Sequence, residues 1–209
     1  EDAARRAGRS GEEVLLVAVT KLHSADEINE AIDCGITDIG ENKVQEIMDK
    51  YEKVKPVRWH LIGHLQTNKV KYIIDKVAMI HSVDSLHLAK EIDKRARQHG
   101  LVMDILIQVN SAMEESKFGI TTEETGKMID DILRECPNIR IRGLMCIAPF
   151  EDNPDDARVY FAEVKKLYDE YAKVHHPNLD FKYLSMGMSN DFEVAVEEGS
   201  NLIRVGTSI

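Results

Sequence analysis

Eight short runs rich in Val, Ile and Leu recur along this chain, separated by seven stretches with helical patterning. The runs are VLLVAVT (14–20), TDIGE (37–41), RWHLIG (58–63), AMIHSV (78–83), MDILIQVN (103–110), IRIRGLMCI (139–147), KYLSMG (182–187) and NLIRVGT (201–207). Each is brief, apolar and bounded by turn or capping residues, the pattern of a buried strand. That alternation predicts an α/β fold, a (β/α)8 TIM barrel in a single domain spanning residues 1–209. An open doubly wound sheet shows the same alternation, but at this length it usually carries about five or six strands.

The intervening segments carry their own start and stop signals. SADEINEAIDCG (24–35) opens with Ser24 as N-cap and Glu27 three residues on, and Gly35 stands at its end. NKVQEIMDKYEKV (42–54), TNKVKYIIDK (67–76) and SLHLAKEIDKRARQHG (85–100) follow the same logic. Two more stop before prolines, at 121–136 before Pro137 and at 153–176 before Pro177, and SNDFEVAVEEGS (189–200) is the last. Residues 1–13 read as the tail of an additional N-terminal helix, truncated here.

Charge narrows the function classes. Lys+Arg number 27 against Asp+Glu 37, a net charge of −10. That balance argues against broad binding to nucleic acid or anionic membranes, while leaving room for a local basic pocket. Cys34, Cys136 and Cys146 are scattered, with no C-x-x-C pair, which fits a reducing compartment and no disulfide framework. No apolar run approaches the roughly 20 residues of a membrane span. The expectation is a cytoplasmic monomer with no nucleic-acid or membrane partner.

In a barrel the chemistry gathers at the C-terminal ends of the strands. The candidates there are Lys21, Glu41 and Asn42, His64, Asn110, Lys117, the 185–189 turn and the stretch Arg204–Thr207. SMGMSND (185–191) sets Ser185, Gly187 and Ser189 between strand seven and a helix start, and RVGTS (204–208) sets Gly206 and Thr207 after strand eight. Glycine lets backbone approach an oxyanion, hydroxyls donate to it, and barrels often hold phosphate at these two loops. Otherwise Ser189 caps a helix and the glycines make turns. Arg204 interrupts an apolar run, and a guanidinium cannot shed its charge. It either faces inward toward an acceptor or ligand, or outward toward a helix carboxylate.

Lys21 closes the first apolar run. It either snorkels into water or serves as a Schiff-base amine, since a partly desolvated ammonium becomes a nucleophile toward carbonyls. A phosphorylated carbonyl compound would bridge it to the two turns, which leaves an aldehyde cofactor or a phosphosugar open. HLIGH (60–64) has two histidines four apart, but a strand followed by a turn does not put both on one helix face, so no metal is expected. His60 reads as a satisfied core residue and His64 as a rim residue.

With these words in place the chain resembles the pyridoxal phosphate homeostasis proteins, whose barrel is that of the alanine racemase N-terminal domain. The matching words are AVTK (18–21), GENKVQE (40–46), WHLIGHLQTNK (59–69), IHSVDS (80–85), VN with KFGI (109–110, 117–120), RGLMCIAP (142–149) and LSMGMSNDFEVAVEEGSNLIRVGTSI (184–209). The resemblance implies pyridoxal 5′-phosphate (PLP) held on Lys21 as an internal aldimine, phosphate contacts from Ser185, Ser189, Gly206 and Thr207, Asn42 lining the cofactor, and Arg204 against the pyridine nitrogen. Gly187 joins them as the turn glycine, with His64, Lys117 and Met186 as secondary candidates. It implies a carrier of PLP, buffering or delivering the cofactor to PLP-dependent apo-enzymes, without an established reaction. A racemase-like enzyme is the alternative. Alanine racemase adds a β-domain bearing a tyrosine acid/base, and the chain ending at Ile209 carries the expectation that this domain is missing. Position 43 is Lys where many relatives carry an aromatic residue, so the contacts of that loop are open.

Overall fold

The computed structural model describes residues 1–207. Strands β1 (Leu15–Val19), β2 (Asp38–Glu41), β3 (Arg58–Leu61), β4 (Met79–Val83), β5 (Met103–Gln108), β6 (Ile139–Met145), β7 (Leu179–Ser185) and β8 (Leu202–Val205) lie in chain order. Each pairs in parallel with the next, and β8 closes on β1 through the register Leu15↔Leu202 to Ala18↔Val205. The sheet is a (β/α)8 TIM barrel.

The outer shell is α1 (Asp2–Arg6), α2 (Ala25–Asp33), α3 (Val44–Lys50), α4 (Val70–Ile73), α5 (Leu86–Gln98), α6 (Thr122–Glu135), α7 (Arg158–Tyr171) and α8 (Phe192–Glu197). The Ser24–Glu27 capping box forms as expected, with reciprocal bonds of 3.2 and 3.3 Å. Four elements depart from the sequence reading. The 42–54 segment leaves α-geometry at Lys50 and ends in a 3-10 turn at Tyr51–Lys53, the 67–76 segment opens in one at Thr67–Lys69, and the 153–176 segment opens in one at Pro154–Ala157. The 189–200 segment becomes helical only at Phe192, because the Asp191 carboxylate accepts from the Met188 backbone N–H at 2.8 Å and holds residues 188–191 as a turn.

Side-chain parity sorts the core into two layers. Ile39, Trp59, Leu61, Ile80, Ile105 and Ile141 point outward and pack with Ile28, Ile47, Ile92, Ile129 and Phe161 of the helices. Val17, Met79, Leu106, Met145 and Leu202 form a separate cluster inside the barrel. His60 stands between outward-facing Trp59 and Leu61, so alternation turns it inward. Arg204 shares parity with inward Leu202, which decides its direction. The barrel interior is therefore only partly apolar: buried Asp38, His60, His81, Ser185 and Arg204 occupy it too.

Gly143 is required by the sheet itself. Its φ is +147°, and a Cβ there would lie 1.7 Å from the Tyr183 carbonyl oxygen. The β6–β7 register slips between Ile141 and Gly143, so this glycine marks a bulge where two backbones meet closely.

Candidate functional site

A cavity of about 550 Å³ opens at the C-terminal end of the barrel. That lies within the roughly 300–1,000 Å³ of small-molecule sites. Its polar lining includes Lys21, Asn42, Ser189, Asn190, Asp191, Arg204, Gly206 and Thr207, and Val19, Ile62, Ile147, Ala148, Phe150 and Met188 supply apolar walls. Another hollow, about 560 Å³, lies at the opposite end beside Leu15, Thr37 and Arg58, and brings together none of these groups.

The Lys21 turn is gripped on both sides. Before it, Thr20 donates its backbone N–H to the Gly40 carbonyl at 3.0 Å and its hydroxyl to Glu41 Oε1 at 3.1 Å. After it, Leu22 adopts φ +65° and donates its N–H to Glu46 Oε2 at 2.9 Å. A left-handed, 91% exposed leucine is an unfavourable local state that the surrounding bonds must hold. Beneath the turn, Lys50 Nζ donates to Glu41 at 3.1 and 3.2 Å, to Glu46 at 2.8 Å and to the Thr20 carbonyl at 3.0 Å. Burial pushes the Glu41 carboxyl above its usual value, against the pull of Lys50. Lys21 itself is exposed at the cavity, and no carboxylate among the described residues pairs with it.

Arg204 forms the floor and is 3% exposed. Its Nη1 donates to Ser185 Oγ at 2.5 Å and its Nη2 to the Cys146 carbonyl at 3.0 Å. Burial pulls the guanidinium below its ordinary pKa, but an arginine stays charged in proteins.

The turns after β7 and β8 are stitched together beside the Lys21 turn, since β8 pairs with β1. The Gly187 carbonyl accepts from the Arg204 backbone N–H at 2.9 Å, and Ser189 Oγ accepts from the Gly206 N–H at 3.3 Å. Gly206 passes so close to β1 that an added Cβ would lie 3.2 Å from the Val19 Cβ. Asp191 sits beside this cradle, and burial raises its carboxyl above the usual range, against the Met188 N–H bond and the charge of Arg204.

Of the residues singled out by sequence, the cavity brings together Lys21, Asn42, Ser189, Arg204, Gly206 and Thr207. Others stand elsewhere. Ser185 is fully buried below the cavity, its hydroxyl between Arg204 and His81, so that hydroxyl is committed to protein partners. Gly187 is also buried, with φ +105° and room for no Cβ, which would lie 2.9 Å from Ala195 and Phe192. Met186 packs in the outer core. His64 is exposed and stacks on Phe118 at 3.8 Å between ring centroids. Lys117 pairs with Glu114 at 3.0 Å in the loop after β5. Neither lines the cavity. Sequence reasoning missed the apolar wall of Ile147 and Phe150, because the strand run was read through Ile147 while β6 ends at Met145. It also missed Lys50 and the partner of His60.

The family model for the N-terminal domain of alanine racemase matches residues 2–209. The chain is 44% identical to the pyridoxal phosphate homeostasis protein of Aquifex aeolicus, over 99% of this chain and 90% of that one. It belongs to that family. The Helicobacter pylori member is 40% identical over 93% of this chain and 86% of its own. Among solved structures, PipY of Synechococcus elongatus with PLP bound superposes with a TM-score of 0.84 at 33% identity, covering 99% of this chain and 98% of PipY. Family members are named for homeostasis rather than for a reaction. No helix among the described residues is long and apolar enough to cross a membrane, and no cluster of three metal-ligating side chains occurs among them.

Proposed function

We propose that this chain, as one domain over residues 1–209, holds PLP as a Schiff base on Lys21 and serves to buffer or deliver it to PLP-dependent apo-enzymes in the cytoplasm. One observation carries the reading: a free amine, a buried cation and a hydroxyl-and-glycine cradle line a single cavity. The donor set fits the cofactor in chemistry. Lys21 offers the amine for its aldehyde. Ser189, Gly206 and Thr207 suit its phosphate, and Ile147, Ala148 and Phe150 give its ring an apolar wall. Bound PLP supplies an aldehyde carbon and a ring that can withdraw electrons.

Arg204 limits how strongly that ring withdraws. A permanent cation at the ring nitrogen disfavours protonation there, and an unprotonated ring is the poorer electron sink. This suits storage of the cofactor above amino-acid turnover. Racemisation needs proton donors on both faces of a substrate, and the lining offers the Lys21 amine. Among the described residues it holds one amine and no tyrosine or histidine. The domain acts as a monomer in this reading.

The test is borohydride reduction of the PLP-treated protein followed by peptide mass spectrometry. The pyridoxyl mass is expected on Lys21 and absent from Lys21→Ala. Label on another lysine, or an undiminished PLP absorption band in Lys21→Ala, overturns the proposal. Deuterium exchange at Cα across a panel of amino acids separates carrier from enzyme, since turnover near about 1 s⁻¹ lies in the ordinary enzyme range and refutes the carrier role.

A further inference from the structure

Below the cavity a line of buried polar groups crosses the barrel. Arg204 Nη1 lies 2.5 Å from Ser185 Oγ, which lies 3.0 Å from His81 Nδ1. His81 Nε2 lies 2.8 Å from His60 Nδ1, and His60 Nε2 lies 2.7 Å from Asp38 Oδ2. All five residues are at most 3% exposed. They come from β8, β7, β4, β3 and β2.

With one proton on each ring, the two ends set the direction of every bond between them. A guanidinium only donates, so Ser185 Oγ accepts from Arg204. An ionised carboxylate only accepts, so His60 carries its proton on Nε2. Its bare Nδ1 then accepts from His81 Nε2–H, and the bare His81 Nδ1 accepts the Ser185 hydroxyl proton. With one proton on each ring, every nitrogen is satisfied and the line runs one way from cation to anion. Burial, with His60 and Arg204 nearby, holds His81 well below its usual pKa, as a neutral ring requires. Burial pushes Asp38 up, but hydrogen bonds from His60 and Thr37 outweigh it and keep the carboxyl low, as an anion requires.

We propose that His60 and His81, between Asp38 and Ser185, are positioning residues that fix the pose of the Arg204 guanidinium at the cofactor cavity. The inference rests on the reading of that cavity as a PLP site. A serine hydroxyl rotates freely when nothing holds its proton, and in one of its positions that proton faces the guanidinium. With His81 Nδ1 as a bare acceptor, the proton points away and an oxygen lone pair stays on Arg204. With one proton on each ring, the Asp38 anion makes this arrangement the only consistent one. A neutral amide at position 38 can donate as well as accept, so the whole line could run backwards, with Nδ1 protonated on both rings and His81 donating into Ser185.

The experiment has two arms. In wild-type protein labelled with 15N-histidine and free of PLP, long-range 1H–15N correlation spectra at neutral pH report the tautomers. The expected result is a protonated Nε2 and bare Nδ1 at both His60 and His81. A protonated Nδ1 or an imidazolium at either ring overturns the inference whatever the variants do. In the second arm PLP is titrated into wild type, Ser185→Ala and Asp38→Asn, with folding checked by circular dichroism. Both substitutions are close to isosteric. Ser185→Ala is expected to weaken PLP binding about tenfold, the scale seen when a ligand group loses its supporting partner, and to shift the PLP absorption band. Asp38→Asn, which touches no cavity residue, is expected to shift the band in the same direction. If both variants match wild type in affinity and spectrum, the positioning role is refuted while the cofactor reading stands. If wild type takes up no PLP, the cofactor reading fails and this inference falls with it.

Discussion

Lys50→Met tests how the Lys21 turn is held. The Lys50 side chain is 12% exposed and Glu41 is fully buried, so removing the ammonium strands an anion in the barrel wall. Breaking one partner of a buried pair costs about 3–5 kcal/mol. The chain has an escape, which is to protonate Glu41. From the ordinary carboxyl value of 4.5, neutralising the group at pH 7 costs about 1.4 kcal/mol per pH unit, or about 3.4 kcal/mol. That route caps the loss due to the stranded charge, so the variant is expected to lose about 3 kcal/mol at pH 7. In a domain of this size the melting temperature should fall by about 6–12 °C. Neutralisation becomes easier in acid, so the deficit against wild type should shrink by about 2 kcal/mol between pH 7 and pH 5.5. Adding Glu41→Gln to the variant removes the stranded charge and should recover part of the stability at pH 7. Urea denaturation of the three proteins at both pH values measures all of this. A loss under about 1 kcal/mol at pH 7, or a deficit that does not change with pH, would show that Glu41 is not an uncompensated buried anion.

Three further outcomes are expected. His81 is neutral in the fold but carries its ordinary pKa of 6.5 when unfolded, so the unfolded chain binds the extra proton. Its contribution to stability is complete above pH 6.5 and is lost as pH falls below it, by up to about 1.4 kcal/mol per pH unit; urea titrations of wild type against His81→Gln should show that slope in wild type alone. Cys34 is exposed, while burial pushes the Cys136 and Cys146 thiols up to about 11 and about 12. An aromatic disulfide reagent should therefore count one thiol in native protein and three in denaturant, and rapid reaction of two or more native thiols contradicts the packing. Gly143→Ala must place a methyl against the Tyr183 carbonyl at a positive φ, so it should cost about 3 kcal/mol or more and be visible by thermal melting.

The barrel was legible because its outward faces repeat one demand. Ile39, Trp59, Leu61, Ile80 and Ile105 must each cover a helix, and that writes a short apolar run at most of the strands. Helix ends were less legible where a side chain overrode the local pattern, as Asp191 does in delaying α8. The site was legible where function sits at a strand's C-terminal end, which is how Lys21, Asn42, Ser189, Gly206 and Thr207 came to share one cavity. Ser185 shows the limit. Its place in a Ser-Gly-Ser turn suggested an anion contact, but it is the last residue of β7 and its parity turns the hydroxyl into the barrel. His60 shows another. It read as a satisfied core residue and is one, but its partners could not be named: they are Asp38 and His81 on the two adjacent strands, 22 and 21 residues away. Same-parity polar residues on neighbouring strands were the signal, and they become visible only once the strands are in register.

The distance between Arg204 and its counter-charge has a physical rationale. A buried guanidinium needs compensation, and a carboxylate bonded directly to it would give the strongest. That carboxylate would also occupy two of its N–H donors in a bidentate pair and cancel its field at the cavity. Here a neutral hydroxyl takes one donor, the Cys146 carbonyl takes another, and the carboxylates stand apart: Asp191 acts on the guanidinium through space, and Asp38 lies three bonds further along the line. The guanidinium is thereby held in place while its charge is left to act on whatever occupies the mouth. Moving the anion closer should undo that: Ser185→Asp is expected to fold with its carboxylate on Arg204 and to bind PLP with the absorption of a ring no longer facing a free cation. A Ser185→Asp protein that folds and carries PLP with the wild-type spectrum would mean that the field of Arg204 does not reach the cofactor.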